Sequence, residues 1–244
     1  MNSRLLRRFL KLGICIPLLF CTCVSAFCIE AFALNGNTDK IDAFYKAGGI
    51  SQKIALTFDD GPLKGKTDDI LDVLDEYGVK ATFFMVGSQA IYCSDTAKRV
   101  VIEGHEIGNH TFNHLSLCGL NSTQLESEIE KCENAIYESC GYIPSLFRPP
   151  EGVCNDGIIK TAGNKGYDVV MWSIDTKDWQ GKSASEIAET VISNVTGGAV
   201  VLMHDGIFSK SYTADALKMF IPVLLEKGYE FVTVGELLAD YRSE

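Results

Sequence analysis

From residue 53 onward the sequence alternates short apolar runs with longer amphipathic segments, and that alternation leaves few folds open. The runs fall at 54–58, 81–86, 106–109, 146–148, 169–174, 199–203 and 231–234, each too short for a helix. Between them, segments 68–77, 94–103, 122–139, 156–165, 184–194 and 212–227 repeat apolar residues at helical spacing. Strand–helix units repeated in this way predict a mainly parallel sheet covered by helices, closed or open. Such sheets bind ligands where strand C-termini meet the following loops. With 46% hydrophobic residues, a chain of 244 residues can bury one sizeable core, so a single domain is expected.

Residues 1–34 stand apart from that core. Arg4, Arg7, Arg8 and Lys11 precede an apolar stretch over 12–34, broken by Glu30, which reads as a signal peptide or a membrane anchor. Ala31, Phe32 and Ala33 have the small-x-small form of a cleavage site, while the length of the stretch also suits an uncleaved anchor. Either way, the rest of the chain is expected outside the membrane, in the cell envelope or beyond it. Residues 35–52, mixed and glycine-containing, read as a connector. The formal charge is −10; four basic residues and Glu30 give the leader +3, which leaves −13 on the rest. So acidic a surface excludes a nucleic-acid partner and favours a neutral or cationic substrate. The exported part is read as a monomer that meets the membrane only through the N-terminal segment, if that segment is uncleaved.

Four of the nine cysteines (Cys15, Cys21, Cys23 and Cys28) lie in the leader. Cys132 and Cys140 share a helical face with Leu125, Ile129 and Ile136, which predicts buried thiols. Cys93, Cys118 and Cys154 fall in loops or loop edges, and an odd total leaves at least one thiol unpaired within a monomer. No CxxC zinc signature occurs beyond the leader.

Nearly every unusual polar residue falls at the C-terminal end of an apolar run. Asp59 and Asp60 end the first, within TFDDGP; His110-Thr111-Phe112-Asn113-His114 comes after the third. Arg148-Pro149-Pro150-Glu151-Gly152 comes after the fourth, Asp175-Thr176-Lys177-Asp178-Trp179 after the fifth, and Leu202-Met203-His204-Asp205 ends the sixth. On a parallel sheet these five stretches converge on one rim. His110 and His114 are spaced i, i+4, so one turn of helix or a tight helical loop would put both imidazoles on one face, as a shared metal ion requires. The spacing alone also suits two solvated or core histidines. A carboxylate at a neighbouring strand end completes a donor set, two nitrogens and one oxygen, common to catalytic zinc sites with an open position for water.

Successive side chains on an extended chain point apart, so adjacent Asp59 and Asp60 can take different roles, one binding the metal and one facing the attacking water as base. Asp-Gly-Pro also favours a plain turn. Arg148 in isolation could be a surface ion-pair residue; its place between a strand and Pro-Pro favours a functional one. His105 reads as structural, Asp175 as support for its loop or a tuning group, and Asp205 as stabilising the turn after His204.

TFDDGP and HTxxH at this separation, with the other three stretches in order, resemble the polysaccharide deacetylases of carbohydrate esterase family 4, the NodB-homology domain. The resemblance covers roughly residues 53 to 238, and the catalytic domain is set at 53–241. It implies a distorted (β/α) barrel of seven or eight mainly parallel strands. Carried over position by position, it implies that Asp60, His110 and His114 hold one divalent metal ion, zinc with cobalt as the alternative. Asp59 would be the general base, paired with Arg148, and His204 the general acid, oriented by Asp178. Trp179 and Leu202 would wall the acetyl pocket, and Pro150, Glu151 and Gly152 would meet the substrate, the Glu151 N–H helping to hold the oxyanion. Many members of the family carry an aromatic residue where this chain has Glu151.

The implied activity is hydrolysis of the acetamido group of N-acetylhexosamine units in an extracellular polysaccharide, with peptidoglycan N-acetylglucosamine first among substrates. An acetylxylan-type O-acetyl esterase and a chitooligosaccharide deacetylase are the alternatives within the reaction class. A catalytically inactive carbohydrate-binding module is the alternative outside it. Such a module is expected to have lost Asp59 or His204, and both are present.

Overall fold

The computed structural model describes residues 42–48, 52–207 and 210–243. The leader and the connector outside 42–48 and Gln52 lie beyond the described residues. The chain runs through β1 (Lys53–Asp59), α1 (Lys66–Glu76), β2 (Thr82–Met85), α2 (Gly87–Tyr92), α3 (Ser94–Ile102), β3 (Glu106–Asn109), α4 (Ser122–Cys140) and β4 (Leu146–Phe147). It continues through α5 (Asp156–Asn164), β5 (Asp168–Val169), β6 (Ile174–Asp175), α6 (Ala184–Asn194), β7 (Val200–His204), α7 (Thr213–Glu226), β8 (Glu230–Val232) and α8 (Val234–Ser243). The sheet order is β5-β4-β3-β2-β1-β7-β6, with β8 paired to the first half of β1. Every pairing between named strands is parallel, and the sheet curls into an incomplete barrel.

The apolar runs conceal a period of two. Ile54, Leu56 and Phe58 of β1 pack under the helices together with Phe83, Met85, Val201 and Met203 from the flanking strands. Ala55, Phe84 and Val200 belong to a second buried cluster on the opposite face. Because alternate side chains share a face, Thr57 and Asp59 follow Ala55 into the barrel interior, and His204 follows Val200 and Leu202. The interior face therefore carries the polar residues. Phe58 and Phe83 stack at 4.9 Å between ring centroids, fixing β1 against β2 from the helical side.

Helix ends follow their local chemistry. Asn121 accepts from the Gln124 N–H at 2.9 Å while the Gln124 side chain accepts from the Asn121 N–H, and Gly141 at φ 74° closes α4. Two helices, α2 and α8, are present that the sequence pattern does not announce. The apolar run 169–174 is not one strand but two short ones, β5 and β6, separated by Val170–Ser173. The two pair with different neighbours, β5 with β4 and β6 with β7, and the Arg148 guanidinium sits at the break: Nε donates to the Val170 carbonyl at 3.1 Å and Nη2 to the Met171 carbonyl at 2.9 Å.

Residues 42–47, which read as connector from sequence, pack on the sheet. Phe44 bridges Val170 and Lys46 bridges Ala199, while Phe44 and Ala47 are buried. The Phe44 N–H donates to the Val169 carbonyl at 2.8 Å and its own carbonyl accepts from Met171 N–H at 2.7 Å, so this segment spans the break between β5 and β6. Cys132 is fully buried and Cys140 half-buried; Cys93, at the α2–α3 junction, is also buried, and Cys118 is exposed. No helix among the described residues is long and apolar enough to cross a membrane.

Candidate active site

The site begins with a buried cation. Arg148 is fully buried, and the cost of desolvating its charge is met by its partners: the two carbonyls above, Thr57 Oγ1 at 2.8 Å and Asp59 Oδ1 at 2.7 Å. Its guanidinium lies 4.0 Å above the centre of the Phe84 ring, with Trp172 on another side at 5.7 Å. Thr57 donates its own hydroxyl to the Val201 carbonyl at 2.7 Å, which locks it as an acceptor for Arg148. Asp59 is thus held by one oxygen, and its Oδ2 lies 3.7 Å from His110 Nε2.

Beside Asp59, one ligand atom from each of Asp60, His110 and His114 lies within 4.8 Å of the others. Of the two arrangements the spacing allows, one turn of helix or a tight loop, the structure shows a loop. Thr111 and His114 adopt φ of 67° and 53°, the His114 N–H is caught by Thr111 Oγ1 at 3.1 Å, and the rings approach to 5.0 Å between centroids. Buried Glu128 on α4 fastens this loop, accepting from the Asn113 N–H at 2.9 Å and from its side-chain amide at 3.0 Å.

The donor set fits a divalent cation. His110 donates Nδ1–H to the Arg148 carbonyl at 2.7 Å, so its Nε2 presents a lone pair toward Asp60, 3.4 Å away. His114 Nε2 stands 3.0 Å from the same oxygen, Asp60 Oδ1, yet that buried oxygen has no hydrogen-bond partner. A buried acceptor facing two imidazole nitrogens is what a metal ion would satisfy.

Across the cleft, Asp178 receives the Nδ1–H of His204 at 2.8 Å and the His204 backbone N–H at 2.9 Å. Burial by itself would lower the imidazole's pKa. The hydrogen bond and charge of Asp178 outweigh it, the charges of Asp59 and Asp60 add to the effect, and His204 is pushed up to about 9. Strand register sets the two sides in relation: Asp59 on β1 pairs directly with His204 on β7.

Between them opens a cleft of about 470 Å³ lined by Asp59, Asp60, His114, Glu151, Gly152, Trp172, Asp175, Trp179, Leu202 and His204. His110, Arg148, Asp178 and Pro150 are buried and lie outside that lining. Glu151 is exposed and sits at φ 59° in the turn Pro150–Gly152. Gly152 is required there, since a Cβ would meet Trp172 at 2.7 Å. All five non-glycine residues with positive φ among the described residues, Asp60, Thr111, His114, Glu151 and Lys177, lie in loops after strands on this rim.

Trp172 is a cleft residue that sequence reasoning misses, because it sits inside an apolar run with nothing to separate it from core. Asp175 lines the cleft and accepts from the Lys177 N–H at 2.9 Å, and Asp205 is buried, with Oδ2 bound to Thr67 Oγ1 at 2.6 Å. His105 is buried and accepts from the Ala81 N–H at 3.2 Å; burial first, then Lys80 and Arg99, lower it to about 4.

With this geometry in place, comparison with known proteins gives the class. The polysaccharide deacetylase family model matches residues 46–170. A peptidoglycan-N-acetylglucosamine deacetylase of Bacillus cereus is 43% identical over 187 residues, 76% of this chain and 87% of that protein. The peptidoglycan-N-acetylglucosamine deacetylase PgdA of Listeria monocytogenes is 38% identical over 78% of this chain, which spans only 40% of that longer protein. Among solved structures, the Bc1960 peptidoglycan N-acetylglucosamine deacetylase, in complex with 4-naphthalen-1-yl-N-oxidanyl-benzamide, superposes with a TM-score of 0.77 at 36% identity. That match covers 82% of this chain and 94% of that one. The chain belongs to the polysaccharide deacetylase family.

Proposed function

We propose that the chain is an exported, metal-dependent hydrolase that removes the acetyl group from N-acetylglucosamine units of peptidoglycan, releasing acetate. The observation that carries this reading is the juxtaposition of Asp59 and His204 in register on β1 and β7, beside the Asp60, His110 and His114 cluster. Those three residues would hold a divalent cation, which would supply Lewis acidity to the acetyl carbonyl and to the attacking water. Two neutral imidazoles and one carboxylate with an open position favour zinc, with cobalt as a substitute.

Asp59 keeps Oδ1 on Arg148 and offers Oδ2 to the water's proton. His204, its Nδ1 proton held by Asp178, delivers a proton from Nε2 to the departing sugar nitrogen. Without that proton the leaving group would be an amide anion, which departs very poorly. Trp179, Leu202 and Gly152 border the space for the acetyl group, and the Glu151 N–H completes the oxyanion's environment. The leader over 1–34 would carry the domain to the cell envelope, where its substrate lies.

The experiment is acetate release from peptidoglycan, chitooligosaccharides and acetylxylan, measured side by side. Peptidoglycan should give the highest kcat/KM. Preference for acetylxylan would make the chain an esterase, and no release from any of the three would overturn the reading.

A further inference from the structure

Asp178 has more hydrogen-bond donors than orienting a histidine needs. Oδ1 accepts from His204 Nδ1 at 2.8 Å and from the Trp179 N–H at 3.1 Å; Oδ2 accepts from the His204 N–H at 2.9 Å and from Thr213 Oγ1 at 2.7 Å. Thr213 comes from elsewhere in the fold. It is the first residue of α7, 1% exposed and 35 positions beyond Asp178, and the N-cap residue before it, Tyr212, makes no side-chain capping bond.

Hydroxyl chemistry fixes the direction of this chain of bonds. The carboxylate can only accept, so the single hydroxyl proton of Thr213 goes to Asp178. The 2.9 Å contact between Ser211 Oγ and Thr213 Oγ1 must then run from Ser211 to Thr213, and Ser211 Oγ in turn accepts from the Thr213 N–H at 3.3 Å. A directed path results: Ser211 donates to Thr213, Thr213 to Asp178, and Asp178 accepts the imidazole proton of His204.

We infer that Thr213 is a positioning residue for proton delivery: by holding Oδ2 of Asp178 it keeps the carboxylate, and through it the His204 ring, in the orientation that aims Nε2 at the leaving nitrogen. The inference rests on the reading of His204 as general acid. If Thr213 were removed, Oδ2 would keep one donor, the His204 N–H, and the carboxylate could turn about its χ2 torsion, carrying the imidazole with it. Thr213 lies outside the cleft lining, and its side chain bonds Ser211 and Asp178, not Asp60, His110 or His114. Its effect should therefore appear only in steps that need a proton from His204.

The test compares an N-acetylated oligosaccharide, whose nitrogen must be protonated, with 4-nitrophenyl acetate, whose phenolate leaves unaided. Thr213→Val keeps the shape and removes the hydroxyl. It should lower kcat on the amide roughly tenfold, leave its KM within about twofold, and leave ester turnover within about twofold. Thr213→Ser should restore most of the amide rate. In a cycle with Asp178→Asn, the two losses should be less than additive. Thr213→Ala serves as the second variant should Thr213→Val fold poorly, with the same split expected.

His204→Ala separates the two assignments. Equal losses on amide and ester in His204→Ala would overturn the general-acid reading itself. An amide-selective loss in His204→Ala, with no loss or equal losses in folded Thr213→Val and Thr213→Ala, would overturn the inference about Thr213 alone.

Discussion

The two sides of the cleft are built on different principles. On the side of β6 and β7, Asp178 is satisfied by four donors from the protein, and His204 is oriented with nothing added. On the side of β1 and β3, a buried oxygen of Asp60 faces two imidazole nitrogens with no hydrogen-bond partner, and three of the rim's positive-φ residues, Asp60, Thr111 and His114, crowd together. The His204 side is complete as folded; on the proposed reading, the other side would be completed by a cation. Substitutions should accordingly act through proton transfer on one side and through metal occupancy on the other.

The largest effect should come from the incomplete side. His110→Ala removes one of three candidate ligand atoms and breaks the link to the Arg148 carbonyl, so metal affinity should fall more than about 100-fold and activity at limiting metal should drop to background. Metal content after dialysis, together with acetate release, checks this. Full occupancy in the variant would remove His110 from the ligand set.

Asp59→Asn stands between the two sides and should separate binding from chemistry. An amide cannot take the water's proton, so kcat should fall by roughly 10²- to 10⁴-fold while metal content stays at one ion per chain. Arg148 would lose its charged partner in this variant, and a lower melting temperature should accompany the loss. Near-normal turnover would move the base elsewhere.

Asp178→Asn probes the complete side and should have a smaller effect at neutral pH. Because Asp178, joined by the charges of Asp59 and Asp60, pushes the pKa of His204 up to about 9 against the opposing effect of burial, the protonated form persists above neutrality. Removing the charge lowers that pKa, so the basic limb of the kcat profile should move to lower pH by roughly one pH unit or more, with the metal retained. A basic limb that stayed in place would break the assignment of His204.

Glu151→Gln should have the smallest effect. Its carboxylate lines the cleft and should disfavour sugars bearing a carboxylate, such as N-acetylmuramic acid, by about 1 kcal/mol. At low salt the variant should raise the ratio of rates on anionic to neutral oligosaccharides by a few-fold while leaving turnover of the neutral one unchanged. An unchanged ratio would make Glu151 a solvated loop residue.

Legibility in the sequence divides along similar lines. Strand ends and their polar residues can be read directly because a parallel sheet forces the five stretches to one rim. The loop that joins His110 to His114 is half legible: the i, i+4 spacing suits one turn of helix or a tight loop, and the left-handed conformations of Thr111 and His114 have no signal in the sequence. Helix α2 starts at the residue after Val86, has six residues and lacks a side-chain cap, too little for a periodic signal. Nor does alternation betray the break between β5 and β6, because it comes from a change of neighbour, β4 for the one and β7 for the other, which a continuous apolar run does not reveal. Thr213 and Phe44 are silent for a related reason: each is ordinary where it stands in the sequence and matters only through a partner far along the chain.

The most direct test of the central claim is a zinc titration of chelator-treated, verified metal-free protein, tracking acetate release from peptidoglycan and bound metal in the same samples. No activity is expected without metal, then a rise proportional to zinc added and a break at one equivalent per chain. Acetate release from the metal-free protein, or zinc bound at one equivalent with no release, would contradict it.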